Sequence, residues 1–300
     1  MKTLAVIVTY NRCALLERCL DHLLSQTVPP TEILVVNNAS TDGTLAMLER
    51  KAITFTTQPN LGSAGGWHCG IQHAIDGGFD AVWLMDDDGY PDARALEMLQ
   101  YRLTGDVVCA SSIVVCQENP DRFVFPFPFL DKIGMPVLFA FPRKITSVKR
   151  LHRYADGGAY PFAHFFNGAL VLVDAVKRVG NVNSDYFMFG DEVDYYFRLC
   201  KVGKVISVIN AVHYHPDVSK RPYTPAKVYY FVKNTFFLNR QYMNLTEMRN
   251  VLTIVAVLGR TMQRNGVFSA LDYIAGKHRH ILFNAVKRGL RGQIGKDFDE

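Results

Sequence analysis

Short apolar runs alternate with amphipathic segments through the first hundred residues, and that alternation leaves few folds open. Leu4–Thr9, Glu32–Asn37, Ile53–Thr57 and Ala81–Met85 are runs of strand length. Between them, Arg12–Gln26, Asp42–Lys51 and Ser63–Ile75 carry helical spacing; in the first, Leu15, Leu16, Cys19, Leu20 and Leu23 share one face. Asp92–Leu103 reads as a further helix with Pro91 near its first turn, and Val107–Val115 as a further strand. Strands separated by helices predict parallel βαβ units. The fold class expected is α/β, with a Rossmann-like, doubly wound, mostly parallel sheet. In such sheets ligands bind beyond the carboxyl ends of the strands. Three polar segments fall there: Thr9 to Arg12, Asn37 to Asp42, and Asp86 to Asp88.

The rest of the chain is less regular. Residues 117–165 are rich in Phe and Pro (Phe123, Phe125, Phe127 and Phe129 among them) and have no clean period. They read as an irregular insertion, a hairpin that either packs as core or lies over a site as a lid. Asn167–Val173 and Val205–Val208 return to strand, and Asp191–Cys200 to helix. From Thr224 the pattern is helical. Two regions are expected: a sheet domain over residues 1–215 and a helical extension over residues 216–300.

Charge separates the same two regions. Residues 216–300 hold 14 Lys/Arg and 6 Asp/Glu, a net charge of +8, whereas the whole chain carries +5. A basic tail on a slightly acidic body suits an anionic partner: a membrane surface, a nucleic acid or an anionic lipid-linked substrate. Met1–Val8 is too short an apolar run for a leader and has no cleavage site, and no stretch reaches the roughly 18 apolar residues of a spanning helix. The six cysteines show neither Cys-x-x-Cys nor zinc spacing, which fits reduced, mostly buried thiols. A cytoplasmic protein is expected, its basic region either resting on the inner membrane surface or forming a solvated helix face.

Three adjacent carboxylates, Asp86, Asp87 and Asp88, end the fourth strand. Like charges so placed repel unless a positive group sits among them, and a divalent metal is the obvious one. The competing reading is a solvated acidic turn, helped by Gly89 and Pro91. Asn60-Leu61-Gly62-Ser63-Ala64-Gly65-Gly66 leads into a helix, where free amides favour anions and glycines permit close approach. Asp191 and Glu192 form a second acidic group, and His213 and His215 end a strand-like stretch. Asp194 and Arg198, spaced i, i+4, suit a structural ion pair.

Taken in order, these segments resemble the family 2 glycosyltransferases, inverting enzymes of GT-A fold. The carrying residues are Val8-Thr9-Tyr10-Asn11-Arg12, Val36-Asn37-Asn38-Ala39-Ser40-Thr41-Asp42-Gly43-Thr44, Asn60 to Gly66, Asp86-Asp87-Asp88, Phe166-Asn167-Gly168-Ala169, Phe189-Gly190-Asp191-Glu192-Val193-Asp194 with Arg198, and Val212-His213-Tyr214-His215. The resemblance runs from about Leu4 to about Arg240.

The resemblance implies a nucleotide-sugar-binding and catalytic domain over residues 1–215. It places the donor, a nucleoside diphosphate sugar, against Thr9, Tyr10, Asn11, Arg12, Asn38, Asn60, Gly62, Gly65, Gly66, Trp67 and Asp87. Mn2+ or Mg2+ would sit on Asp86, Asp88 and His215. The general base is the second member of the acidic pair, here Glu192 where the family usually has Asp, with Asp191 as the alternative. The Asp triplet and the Gly65-Gly66-aromatic sequence look most like the galactofuranosyl-transferring branch, and rhamnosyltransferases using dTDP-rhamnose are similar. The acceptor implied is a hydroxyl of a cell-surface glycan or a lipid-linked oligosaccharide, and no nucleic acid is implied. A nucleotidyltransferase would share the α/β pattern but needs a Gly-rich basic loop where Thr9-Tyr10-Asn11-Arg12 stands. A non-catalytic nucleotide-sugar-binding protein would not need Asp86, Asp88 and Glu192 intact.

Overall fold

The structure, a computed structural model, describes residues 1–142, 144–219 and 221–298; Arg143, Lys220, Asp299 and Glu300 lie outside the description. The chain divides into two compact units: Met1–Val182 with Tyr195–Asp217, and Asn183–Asp194 with Val218–Glu300.

The first unit opens with the expected alternation: β1 (Thr3–Thr9), α1 (Cys13–Leu24), β2 (Glu32–Asn37), α2 (Thr44–Arg50), β3 (Thr54–Thr57), α3 (Gly62–Asp76) and β4 (Ala81–Asp86). It continues through β5 (Tyr90–Pro91), α4 (Ala95–Arg102), β6 (Val107–Cys116), β7 (Asn119–Pro128), β8 (Lys144–Ser147), α5 (Val148–Leu151), β9 (Ala159–Tyr160), β10 (Asn167–Leu172) and α6 (Val173–Val179). Helix α7 (Asp191–Leu199) spans the boundary between the units, and β11 (Lys204–His215) completes the sheet.

The sheet runs β3-β2-β1-β4-β10-β6-β11-β5. The β3, β2, β1 and β4 pairings are parallel, as is β6 with β11, while β10 is inserted antiparallel between β4 and β6. This is the mixed α/β architecture with a largely parallel sheet that the resemblance implies. The parallel register pairs Thr9 with Asn37 and Val8 with Asp86, so the three polar segments open from one edge. One core lies between the sheet and the helices, built from Ile7, Leu16, Leu20, Val35, Trp83 and Leu99 among others.

Glycine sets the distance between α3 and β1. A Cβ on Gly66 would stand 2.4 Å from Val8 Cγ1, and one on Gly70 2.2 Å from Val6 Cγ1. The two glycines are one helical turn apart on the face that meets the strand. Gly70→Ala must displace a buried β-branched side chain and is expected to cost about 1–3 kcal/mol, typical of overpacking. Chemical denaturation checks this, and adding Val6→Ala should recover part of the loss.

Three expectations need adjustment. The insertion is ordered: β7 pairs with β6 and β8, and Phe123 and Phe127 enter a second core with Ile113, Ile145, Leu151 and Tyr160. It therefore packs as core in large part. Pro91 is not in the first turn of α4 but pairs with His213 in the two-residue strand β5. The last strand extends well past Val208, because a register shift between Val208 and Val212 carries it around the exposed Asn210. That polar interruption split β11 into two strand-like stretches in the sequence, Val205–Val208 and the one that His213 and His215 end.

The second unit holds α8 (Pro225–Tyr242), α9 (Thr246–Asn265), α10 (Val267–Ile274) and α11 (Arg279–Leu290). Thr224 caps α8 by accepting from the Lys227 amide, with Pro225 in the first turn. Val228, Tyr230, Phe236, Val257, Tyr273 and Ile281 form its core. Lys233 is fully buried, and its ammonium donates to Gly295 O and Asp297 Oδ1, both at 2.6 Å. No helix among the described residues is long and apolar enough to cross a membrane. All six cysteines are free.

Candidate functional site

The Asp triplet meets its first positive partner inside the chain. Arg12 Nη1 lies 2.9 Å from Asp87 Oδ1 and 3.1 Å from Asp88 Oδ2. Thr9 Oγ1 donates to Asp87 Oδ2 at 2.8 Å. Both oxygens of Asp87 are thus engaged within the protein, and burial pushes its carboxyl up despite the charge of Arg12. Arg18 donates to the Asp88 carbonyl at 2.9 Å and lies over the Tyr90 ring, bracing the turn.

The pairing of β5 with β11 then brings the histidines beside the carboxylates. Beyond the bulge, His213 and His215 lie two residues apart and share a face. His215 Nε2 is 2.9 Å from Asp88 Oδ1, and its Nδ1 is 2.8 Å from Pro216 O. A carbonyl only accepts, so Nδ1 carries the proton, and Nε2 faces the carboxylate with its lone pair or a second proton. Two facing acceptors hold together only around a proton or a cation. A histidine oriented by a carbonyl behind it, with a carboxylate in front, is the arrangement a divalent metal uses. Among the described residues no three His, Cys, Asp or Glu side chains converge into a complete cage. Asp88 and His215 fit an ion whose remaining ligands come from substrate phosphates and water, with Asp86 the next carboxylate along the chain.

His213 is fully buried, neither ring nitrogen has a hydrogen-bond partner, and burial pushes its pKa down to about 3. Gly89 makes room for it, since a Cβ there would stand 2.2 Å from His213 Nε2. Phe125 of the insertion meets the His215 ring edge-on at 5.5 Å between centroids.

The expected donor contacts fall into two groups. Tyr10, Asn11 and Arg12 are exposed at the end of β1. Asn11, with φ +52°, donates its amide to Ser40 Oγ and accepts at Oδ1 from Thr41 N at 2.7 Å, so it ties two loops together instead of capping α1. Thr9, Asn38, Gly65, Gly66, Trp67 and Asp87 are buried and stand behind the surface. The Asn38 amide is engaged at both ends, donating to Gly62 O at 3.1 Å and accepting from Gln58 at 2.8 Å. Asn60 Oδ1 accepts from Gly62 N, whose φ of +74° suits glycine. Gly65 and Gly66 make room for Leu61 and Val8, and Trp67 stacks on Phe166 at 4.5 Å with no exposed surface. Trp67 lies in the core, and the side chains of Asn38 and Asp87, with Gly66, shape the loops from within.

The acidic pair belongs to the second unit, where it opens α7. Asp191 is 2% exposed and its Oδ2 lacks a hydrogen-bond partner, whereas Glu192 is exposed. Burial pushes the Asp191 carboxyl up, and the neighbouring Glu192 charge adds to it. Crowding by protein atoms raises Glu192 as well, although its side chain stays open to water. Asp194 accepts from Tyr242 Oη at 2.6 Å, and Arg198 donates to the carbonyls of Val179, Gly180 and Asn181. The turn before the pair is tightly bent: Phe187, Phe189 and Gly190 have φ of +60°, +61° and +96°. Buried Asn234 holds it, its Nδ2 donating to Tyr186 O, Met188 O and Phe189 O at 2.8–3.0 Å. Asn234→Ala removes the side-chain donor from all three carbonyls, leaving Tyr186 O with the Met188 amide, and is expected to cost about 1–3 kcal/mol and to lower turnover with little change in donor affinity. Thermal melts beside separate kcat and KM values check both parts.

Residues 4–154 match the family described as Glycosyl transferase family 2. The chain belongs to that family. It is a glycosyltransferase, similar to the galactofuranosyltransferase GlfT1 of Mycolicibacterium smegmatis (strain ATCC 700084 / mc(2)155), with 32% identity over 220 residues that cover 71% of this chain and 70% of that protein. An undecaprenyl-phosphate mannosyltransferase of Micrococcus luteus is 27% identical over 215 residues, 69% of this chain and 81% of that one. Among solved structures, the mannosyltransferase PcManGT of Pyrobaculum calidifontis, in complex with GDP-Man and Mn2+, aligns with a TM-score of 0.55 at 16% identity over 96% of this chain and 80% of that one. S. aureus TarS aligns with a TM-score of 0.55 at 13% identity over 97% of this chain and 49% of that one. At such identities the two structures speak to the fold alone.

Four residues beside the triplet make contacts that the sequence did not reveal. Arg12 was expected at the donor, not as counter-ion to the triplet. Arg18 and Phe125 carried no motif at all. For His213 a signal existed, its spacing of two from His215.

Proposed function

We propose that this glycosyltransferase transfers galactofuranose from UDP-galactofuranose to a hydroxyl of a cell-surface glycan or lipid-linked oligosaccharide, with inversion and with Mn2+ or Mg2+. The observation that carries the donor is the 32% identity to GlfT1 across about seven-tenths of both chains. The undecaprenyl-phosphate mannosyltransferase supports a lipid-linked acceptor, and the complex of PcManGT with GDP-Man and Mn2+ supports use of a metal.

In this reading Tyr10, Asn11 and Arg12 meet the nucleotide on their exposed loop, and Asn60 and Gly62 shape the neighbouring turn. Asp86, Asp88 and His215 would hold the metal, whose positive charge offsets the charge that develops on the departing diphosphate. Glu192 accepts the proton of the acceptor hydroxyl as that oxygen bonds to the anomeric carbon. The bond from the anomeric carbon to the phosphate oxygen breaks, UDP leaves with the electron pair, and the anomeric configuration inverts. Glu192 is favoured over Asp191 because it is exposed, while Asp191 is buried.

A thermal-shift series with Mn2+ against UDP, dTDP, GDP and their sugars tests the donor. A midpoint raised by UDP and UDP-galactofuranose only when metal is present is the expected result. A response to dTDP-rhamnose alone would move the donor to rhamnose. No response to any nucleotide would overturn the reading.

A further inference from the structure

The helices of the second unit carry a face of inverted polarity. Along α9 the residues turned inward include Asn250, Thr253 and Thr261, alongside Val257. The residues turned outward include Val251 and Val255, each 60% exposed, and Met262. They fall at i, i+4 and i+11, along one side of the helix, while Ile254 and Leu258 pack against the core. Helix α10 repeats the pattern over two turns: Val267, Leu271 and Ile274 stand outward at i, i+4 and i+7, with Phe268 beside them at 86% exposure. Only Ala270 and Tyr273 of α10 are buried. Scattered exposed apolar side chains are ordinary, but two consecutive helices that both turn apolar stripes outward are not.

Charge identifies what covers this face. Lys277 and Arg279 are exposed just beyond α10. On α11 the exposed residues Phe283, Lys287, Leu290 and Arg291 fall at i, i+4, i+7 and i+8, so apolar and basic groups share one face. From Leu245 to Arg291 the basic residues outnumber the acidic ones eight to two, the two being Glu247 and Asp272. Apolar side chains among basic ones are the composition of a helix that lies in a lipid–water interface. A second copy of the chain would instead set two cationic faces against each other.

We propose that this face docks on an anionic phospholipid bilayer. Phe268, Leu271 and Ile274 enter the interface, and Lys277, Arg279 and Lys287 meet lipid phosphates. The inference stands apart from the choice of donor.

Co-sedimentation of the full chain with vesicles tests it, with neither metal nor nucleotide present. Binding is expected to phosphatidylcholine vesicles that contain phosphatidylglycerol, and to be much weaker with phosphatidylcholine alone. The triple variant F268S/L271S/I274S should bind about a hundredfold more weakly, since each of these side chains gains appreciably from leaving water. The K277E/R279E variant should lose the preference for the anionic lipid. All the substituted residues are exposed, so unchanged melting curves would confirm intact folds. Wild-type protein that stays in the supernatant with anionic vesicles, or a triple variant that binds like wild type, overturns the proposal. So does a concentration-dependent dimer that the triple variant abolishes, because a second copy would then cover the face.

Discussion

Glu192→Gln is expected to lower kcat by about three orders of magnitude, within the range a positioned general base contributes, while donor affinity and melting temperature stay near wild type. The amide keeps the size of the side chain and loses only the capacity to take a proton. Because Glu192 is exposed, the change leaves no buried group unpaired. Equal turnover in variant and wild type, or a larger loss with Asp191→Asn, would reassign the base. The pH profile offers a second check. Crowding raises the Glu192 carboxyl, and burial with the neighbouring charge raises Asp191. A base must be ionised to work, so activity should rise with pH along a limb above the ordinary carboxylate range, toward neutrality.

Stability should run the other way over the same window. A carboxyl whose pKa is higher folded than unfolded holds its proton more tightly in the fold. The stability that the proton confers is complete below the unfolded pKa and is lost as pH rises through the folded one. Asp191→Asn should therefore flatten the decline in stability between the ordinary carboxylate range and neutrality. Opposed slopes of activity and stability would separate the roles of the two carboxylates.

How much of this was legible beforehand differs from residue to residue. The βαβ order was open to reading because each strand is a run bounded by polar turns, and burial on both faces leaves little else for those residues to do. The Asp triplet and the acidic pair were equally visible, since clustered carboxylates stand out in any sequence. What one-dimensional pattern could not supply was the partner of each group. Arg12 neutralises Asp87 and Asp88 from 75 and 76 positions away, a contact fixed by the register of β1 with β4. What Gly66 and Trp67 pack against was hidden for a related reason. A glycine near a helix start reads the same whether phosphate or a valine side chain approaches it, and only the packing of α3 on β1 decides. Asn234 had no visible role, because its three acceptors lie 45 to 48 residues before it.

Chelation should abolish transfer, and Mn2+ should restore it, with Asp88→Asn lowering kcat/KM by at least about a hundredfold at a fixed metal concentration. The comparison that gives this weight is with Asp87, its neighbour in the same triplet. Asp88 shares its space with His215 Nε2 at 2.9 Å, and a carboxylate facing an imidazole nitrogen is where a divalent ion can replace a proton. Asp87 points instead to Thr9 and Arg12, away from the imidazole; Arg12 also reaches Asp88 Oδ2, which leaves Asp88 Oδ1 as the oxygen that faces His215. Asp87→Asn should therefore lower stability and disturb the loop after β1, with little change in the Mn2+ concentration needed for half-maximal activity. Asp88→Asn should raise that concentration sharply and leave the melting temperature of the metal-free protein less affected. Titration of the two variants with Mn2+, read by activity and by the paramagnetic signal of free ion, distinguishes these outcomes. Equal shifts in metal requirement for both would mean that the triplet acts as one diffuse negative charge, and Asp88 would then have no special place as a ligand.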